Sequence, residues 1–191
     1  MQTAFEALHA WTRQRTDTLA EHVAQGFISP TEFGDQMASL LTIAHTRAVV
    51  LGRHHAGDTA PEEADDREFA EQVIDGESEF LHAFVRDIAE GRYQDADGEW
   101  RLAGLQRRAG MYSDKIRGTA QEAWGLALPE GTLFFWHLND AAHCLDCPEL
   151  EENSPYTIDT IPTWPGKGET ECRTSCRCWT RTNDGRDGFR L

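Results

Sequence analysis

His143-Cys144-Leu145-Asp146-Cys147 and Cys172-Arg173-Thr174-Ser175-Cys176-Arg177-Cys178 hold all five cysteines of the chain. A close pair, a loop of about two dozen residues and a second tight group is the pattern of a structural zinc site built from two knuckles. Zinc takes four thiolate or imidazole ligands at tetrahedral corners. The two-residue gap between Cys144 and Cys147 lets one turn of backbone offer both sulfurs to a single ion. The spacing favours Cys144, Cys147, Cys172 and Cys176, with Cys178 as an alternative ligand or a small buried residue. His143 diverges from Cys144 if the backbone there is extended, and His137 is a weaker candidate still. Disulfides formed in an oxidising compartment, or free buried thiols, are the competing readings.

Upstream of the cluster the sequence reads as plain helix. Phe5, Leu8, Trp11, Leu19 and Val23 recur at helical spacing between Thr3 and Gln25, and Gly26 is a stop. Ser29, Pro30 and Glu32 form a capping box with proline at the first helical position, and Ile28 and Phe33 can close a hydrophobic staple. The helix they open carries Phe33, Met37, Leu40, Leu41, Ala44, Ala48 and Leu51 and ends near Gly52 or a turn later. The adjacent His54 and His55 point about 100° apart on a helix, poorly placed to share an ion. A third helix, from Asp66 to Glu90, is expected to bury Phe69, Val73, Phe80, Leu81, Phe84 and Ile88. Asp95-Ala96-Asp97-Gly98 lacks the closing acid of a calcium loop. A fourth helix, from Gly98 to Gly125, has an apolar stripe rich in small residues. Arg101, Arg107, Arg108, Lys115 and Arg117 are expected on its exposed, basic side.

After Leu128 the texture changes. Thr132 to Leu138 is aromatic and bulky, as in a strand, and Trp179-Thr180-Arg181 is its expected partner. The loop between them carries Pro148, Pro155, Pro162, Pro165, Gly166 and Gly168, and a loop of that kind needs a staple. The predicted fold is therefore mainly α. A four-helix body, residues 1–128, precedes a small irregular α+β module, residues 129–181, zinc-ribbon-like and with a short β-hairpin stapled by the cysteines. Residues 182–191 form a flexible tail.

Composition narrows the function. A net charge of −15 argues against general nucleic-acid binding, which needs Lys and Arg at phosphates. Residues Asp58 to Glu99 carry fifteen acids against three arginines, a solvated face or a docking surface for a basic partner. No apolar run approaches the ~18 residues of a membrane span, and the first residues lack a signal core. A reducing cytoplasm is the expected compartment, where clustered cysteines favour metal. No enzymatic activity is expected. The chain has no phosphate-binding Gly-rich loop, no Gly-x-Ser-x-Gly and no His-Glu-x-x-His. It also lacks the His-x-Glu that a zinc deaminase places before its cysteines.

Several small motifs occur in a telling order. Tyr112 to Trp124 forms a long helix with scattered Arg and Ala, and Trp136 lies on the strand. His143-Cys144-Leu145-Asp146-Cys147, Ser154-Pro155-Tyr156, Pro165-Gly166-Lys167-Gly168-Glu169-Thr170-Glu171-Cys172 and Cys176-Arg177-Cys178 come after it. Over roughly its last 90 residues the chain resembles the C-terminal half of tailed-phage minor head proteins, the phage Mu F-like head-morphogenesis family. Many members place a histidine shortly before Cys-Arg-Cys, where this chain has Cys172. The resemblance implies a virion component, made in the host cytoplasm. It would act in several copies near a portal or major capsid protein, contributing to head assembly through protein–protein contacts. The alternative is a cytoplasmic zinc-binding adaptor or regulatory protein.

Overall fold

The computed structural model describes residues 1–140 and 144–190. Its order is α1 (Gln2–Ala24), α2 (Pro30–Ala56), α3 (Ala64–Ala89), α4 (Leu102–Leu126), β1 (Phe134–His137), α5 (Asp146–Glu152), a 3₁₀ turn (Arg173–Ser175) and β2 (Trp179–Thr182). None of these helices is long and apolar enough to cross a membrane.

The helix ends arise from local chemistry. Phe27 donates its N–H to the His22 carbonyl at 2.9 Å, and Gly26 adopts φ +72°, so α1 ends in a left-handed cap. Ser29 Oγ accepts from the Glu32 amide at 3.2 Å and Glu32 Oε2 accepts from the Ser29 amide at 2.8 Å, the reciprocal box expected at α2. α2 ends a turn after Gly52, at Ala56, the later of the two expected ends, with Gly57 as a left-handed cap. Gly52 serves packing: a Cβ there would lie 2.5 Å from the Ala120 carbonyl oxygen on α4. Asp95 Oδ1 accepts from the Asp97 and Glu99 amides, which uses the Asp-x-Asp-Gly turn for its own backbone. That turn delays the start of α4 from Gly98 to Leu102.

α2 is the central helix, packed against α1, α3 and α4, while α1 also packs on α4. One core gathers Leu19, Val23, Phe33, Met37, Phe84, Ile88, Leu105 and Tyr112. Phe80 departs from its predicted burial and is 59% exposed. α3 buries the narrow stripe of Leu81, Phe84 and Ile88 against α2, and Phe80 falls on its outer flank. Between α3 and α4 an ion pair joins Lys115 to Glu77.

A second core joins the helices to the C-terminal segment. Phe5, Ala44, Ala48, Ile116, Ala120 and Trp124 pack with Phe134, Trp164 and Phe189. β1 and β2 are antiparallel, with Phe134 opposite Thr182 and His137 opposite Trp179. The segment expected to fray after Thr182 is instead packed. Gly188 donates its N–H to Thr180 at 2.8 Å and Gln121 Nε2 donates to the Phe189 carbonyl at 2.8 Å. The Phe189 ring is fully buried between Phe5 and His55, at centroid distances of 5.0 and 4.8 Å. Glycines and charged residues give the tail a polar reading, but one aromatic side chain in a preformed slot is enough to hold it. His54 and His55 are absorbed by structure: their Nε2 atoms meet the carbonyls of Ala60 and Asp187.

His45 gives the core an acid-sensitive point. It is fully buried on α2, with Nδ1 2.8 Å from Thr119 Oγ1. Burial, reinforced by the nearby Lys115 charge, lowers its pKa from 6.5 to about 3. The folded state keeps the ring neutral while the unfolded chain takes up a proton below about pH 6.5. Stability from this residue is complete above that pH and is lost as pH falls toward 3, by at most ~1.4 kcal/mol per unit. Urea midpoints measured at pH 7 and pH 5 should therefore fall less for His45→Gln than for wild type. The comparison cancels the acid sensitivity of the cysteines, which both proteins share. Equal falls would show that His45 does not carry the slope.

Candidate metal centre

Three chain segments bring the sulfurs together. Cys144 precedes α5 and Cys147 is its second residue. Cys172 enters the 3₁₀ turn and Cys176 leaves it. Cys178 stands directly before β2. The two knuckles are tied to each other by a reciprocal pair of hydrogen bonds. The Leu145 amide donates to Glu171 Oε2 at 3.0 Å, and the Glu171 amide donates to Asp146 Oδ2 at 2.6 Å. Thr170 Oγ1 lies 3.3 Å from Cys172 Sγ, and Asn139 Nδ2 donates to the Arg177 carbonyl at 3.4 Å. Trp136 on β1, with Leu138 and Leu150, walls the cluster with apolar surface.

Cys147 sits at the middle. Its sulfur is 3.3 Å from Cys144, 3.7 Å from Cys172 and 3.8 Å from Cys176. Four sulfurs ~2.3 Å from a zinc ion would stand ~3.8 Å apart along each edge of the tetrahedron. The sulfurs of Cys144, Cys147 and Cys172 lie within 4.8 Å of one another, and so do those of Cys147, Cys176 and Cys178. The five predicted ligands thus form two triads that share Cys147, with the favoured Cys144, Cys147, Cys172 and Cys176 divided between them, and the cluster has the donors to hold a metal ion. Cys178, the expected alternative ligand or small buried residue, is buried and lies with Cys147 and Cys176. The Cys144–Cys147 separation is far from the ~2.05 Å of a disulfide, and none of the five cysteines is disulfide-bonded. His143 lies outside the described residues. His137 alternates to the other side of β1 from Trp136 and stacks on Trp179, 4.4 Å between centroids.

The metal-free sulfurs share protons unevenly. Hydrogen bonds from Cys147 and Cys176 hold Cys178 down to about 3. Hydrogen bonding to Cys176 and Cys178 pushes the Cys147 thiol far up, with burial adding to the effect. Burial raises Cys172 to about 11. Packed thiols in this state compete for charge, and a cation among them would relieve that competition.

One residue of the site escapes a reading of spacing alone. Arg117, expected on the exposed side of α4, is completely buried beneath the second knuckle. Its guanidinium donates to the carbonyls of Cys178, at 3.0 Å, and of Cys176. Its Nε has no hydrogen-bond partner, and no carboxylate pairs with it among the described residues. Burial pulls its pKa down, and the opposing influences are the sulfurs of Cys176, Cys178 and Cys172. The signal was present in Arg117-Gly118-Thr119-Ala120. An arginine set among small helical residues lies where another backbone comes close, and there a side chain has little room to reach solvent.

Comparison with protein-family models, with curated proteins and with solved structures finds no match for the chain. The chemistry of the centre therefore rests on its own geometry. Five sulfurs lie in an apolar pocket, with the neighbouring carboxylates of Asp146 and Glu171 each engaged by a backbone amide.

Proposed function

We propose that the chain is a structural component of a tailed-phage head, in which one zinc ion on the cysteine cluster fastens the loop-rich C-terminal segment to the helices. The convergence of sulfurs from both ends of a long Pro- and Gly-rich loop carries this reading. A loop of that composition buries too little apolar surface to hold its own shape, and a closed metal site supplies the missing constraint. The order of small motifs along the last 90 residues supports the assignment to a head protein, since it resembles the Mu F-like family. The apolar walls, and carboxylates that each accept a backbone amide, favour a fastener over a reaction centre, so the chain acts by contact with a portal or major capsid protein and not as an enzyme.

Two measurements test the proposal. Protein made under reducing conditions should contain about one zinc per chain by elemental analysis, and near-zero metal in folded protein would refute the fastener. Co-expression with the portal and major capsid proteins of the same phage should yield a co-purifying complex and particles that incorporate the chain in several copies. A stable complex with a cytoplasmic regulator and no head protein would instead establish the adaptor reading.

A further inference from the structure

We infer that Arg117 is a counter-cation built into the helical body for an anionic, all-cysteine metal centre, so that the charge of the loaded cluster is balanced from α4 rather than by solvent. The inference rests on the proposed zinc site and goes beyond it, because it fixes the charge of the site and names the residue that answers it.

Arginine stays protonated in proteins, and a buried cation without an anion is strongly destabilising. Arg117 is fully buried and has no carboxylate partner among the described residues. The carbonyls of Cys176 and Cys178 satisfy hydrogen bonds but supply no charge. With neutral thiols the arginine would be stranded. A divalent ion held by four thiolates leaves two negative charges in an apolar pocket, a charge equally costly if left alone. Each group answers the other. The position of the arginine is also not adjustable, because Gly166 approaches it so closely that a Cβ there would lie 2.9 Å from its Nε. The side chain passes under the loop backbone to reach the Cys176–Cys178 turn. It therefore joins the body and the knuckle electrostatically, where the second core joins them by apolar packing.

The full-length chain, reduced and titrated with Zn²⁺ against a chromophoric chelator, tests this. Arg117→Gln, which can still bond the carbonyls but carries no charge, should weaken zinc binding about tenfold or more, and Arg117→Lys should stay within about threefold of wild type. Unfolding by urea adds a readout that a merely structural arginine would not move. Arg117→Gln should destabilise the zinc-loaded protein more than the zinc-free protein, because four thiolates on zinc carry two net negative charges and the metal-free cluster carries fewer. Co²⁺ in place of zinc should show intense sulfur-to-metal charge-transfer absorption from four thiolates in wild type. Wild-type affinity in Arg117→Gln, or equal destabilisation of both forms, overturns the counter-charge. A wild-type protein that takes no zinc overturns the fastener itself. If Arg117→Gln does not fold, Arg117→Lys decides alone, since it keeps the charge and sacrifices the two-pronged bonding. A loss above about tenfold in that variant shows that geometry, not charge, is what the centre requires.

Discussion

Cys147→Ser is expected to abolish metal binding and to unfold the chain from β1 to Phe189, with the loss spreading into the lower half of the helices. Cys147 belongs to both sulfur triads, so its removal leaves no group of three sulfurs at metal-binding distance among those described. Structural zinc in small domains contributes ~10–16 kcal/mol of apparent binding free energy, comparable with the whole ~5–15 kcal/mol stability of a typical domain. The serine variant also leaves Arg117 buried without the anion we assign to it. Sequence alone suggests that damage would stop at a domain boundary near Leu128. The packing argues otherwise, because Trp164, Phe134 and Phe189 complete a core with Phe5, Ile116 and Trp124. Amide exchange should therefore lose protection in β1, β2 and the flanking turns of α1 and α4. Phe33, Phe84 and Leu105, in the other core, should stay protected longest. Uniform loss of protection along all four long helices would show that the two cores fold as one, and unchanged exchange around Trp124 would show that the cluster is not coupled to the body.

Much of this architecture could be read from residues whose roles are local. Ser29, Pro30 and Glu32 declare a helix start by their own hydrogen bonds, and the 3–4 spacing along Phe33 to Leu51 declares the face it buries. The two cysteine groups declare a cluster because a shared metal ion, like disulfides, would bring them together. What stayed hidden depends on approach between distant segments. Phe80 is apolar and in helical register, yet it lies on a flank that no helix covers. Phe189 comes after a run of polar residues, and its slot exists only once Phe5, His55 and Trp124 are in place. Arg117 reads as surface until the Pro165–Gly168 loop is laid over it. Phe189 and Arg117 are tertiary contacts overriding a local reading, and Phe80 is the converse, an apolar residue that the packing leaves uncovered.

A single methyl group at Gly118 should be among the most damaging changes outside the cysteines. The Cβ of Gly118→Ala would lie 2.4 Å from Lys167 Cα and 2.5 Å from Lys167 N, with Gly166 C at 2.8 Å. All three are backbone atoms, so no rotamer change relieves the clash, and the loop that carries Lys167 must lift off α4. That loop is pinned on one side by Trp164, whose ring lies so close to Gly125 that a Cβ there would meet it at 2.3 Å, and on the other by Lys167 pairing with Glu122 at 2.9 Å. Lifting it would open the second core and disturb the turn that leads into Cys172. A cost of about 3 kcal/mol or more is expected, the upper end for overpacking because the obstacle is main chain. Gly104 is the control on the same helix. Nothing lies within 4 Å of a Cβ there, so Gly104→Ala should raise stability by up to ~1 kcal/mol through helix propensity alone. Denaturant unfolding of the zinc-loaded variants measures both, and the two substitutions should move the midpoint in opposite directions. A shift of the same sign and size at the two positions would mean that the loop does not rest on α4, and the close seam between the helices and the metal-fastened segment would have to be abandoned.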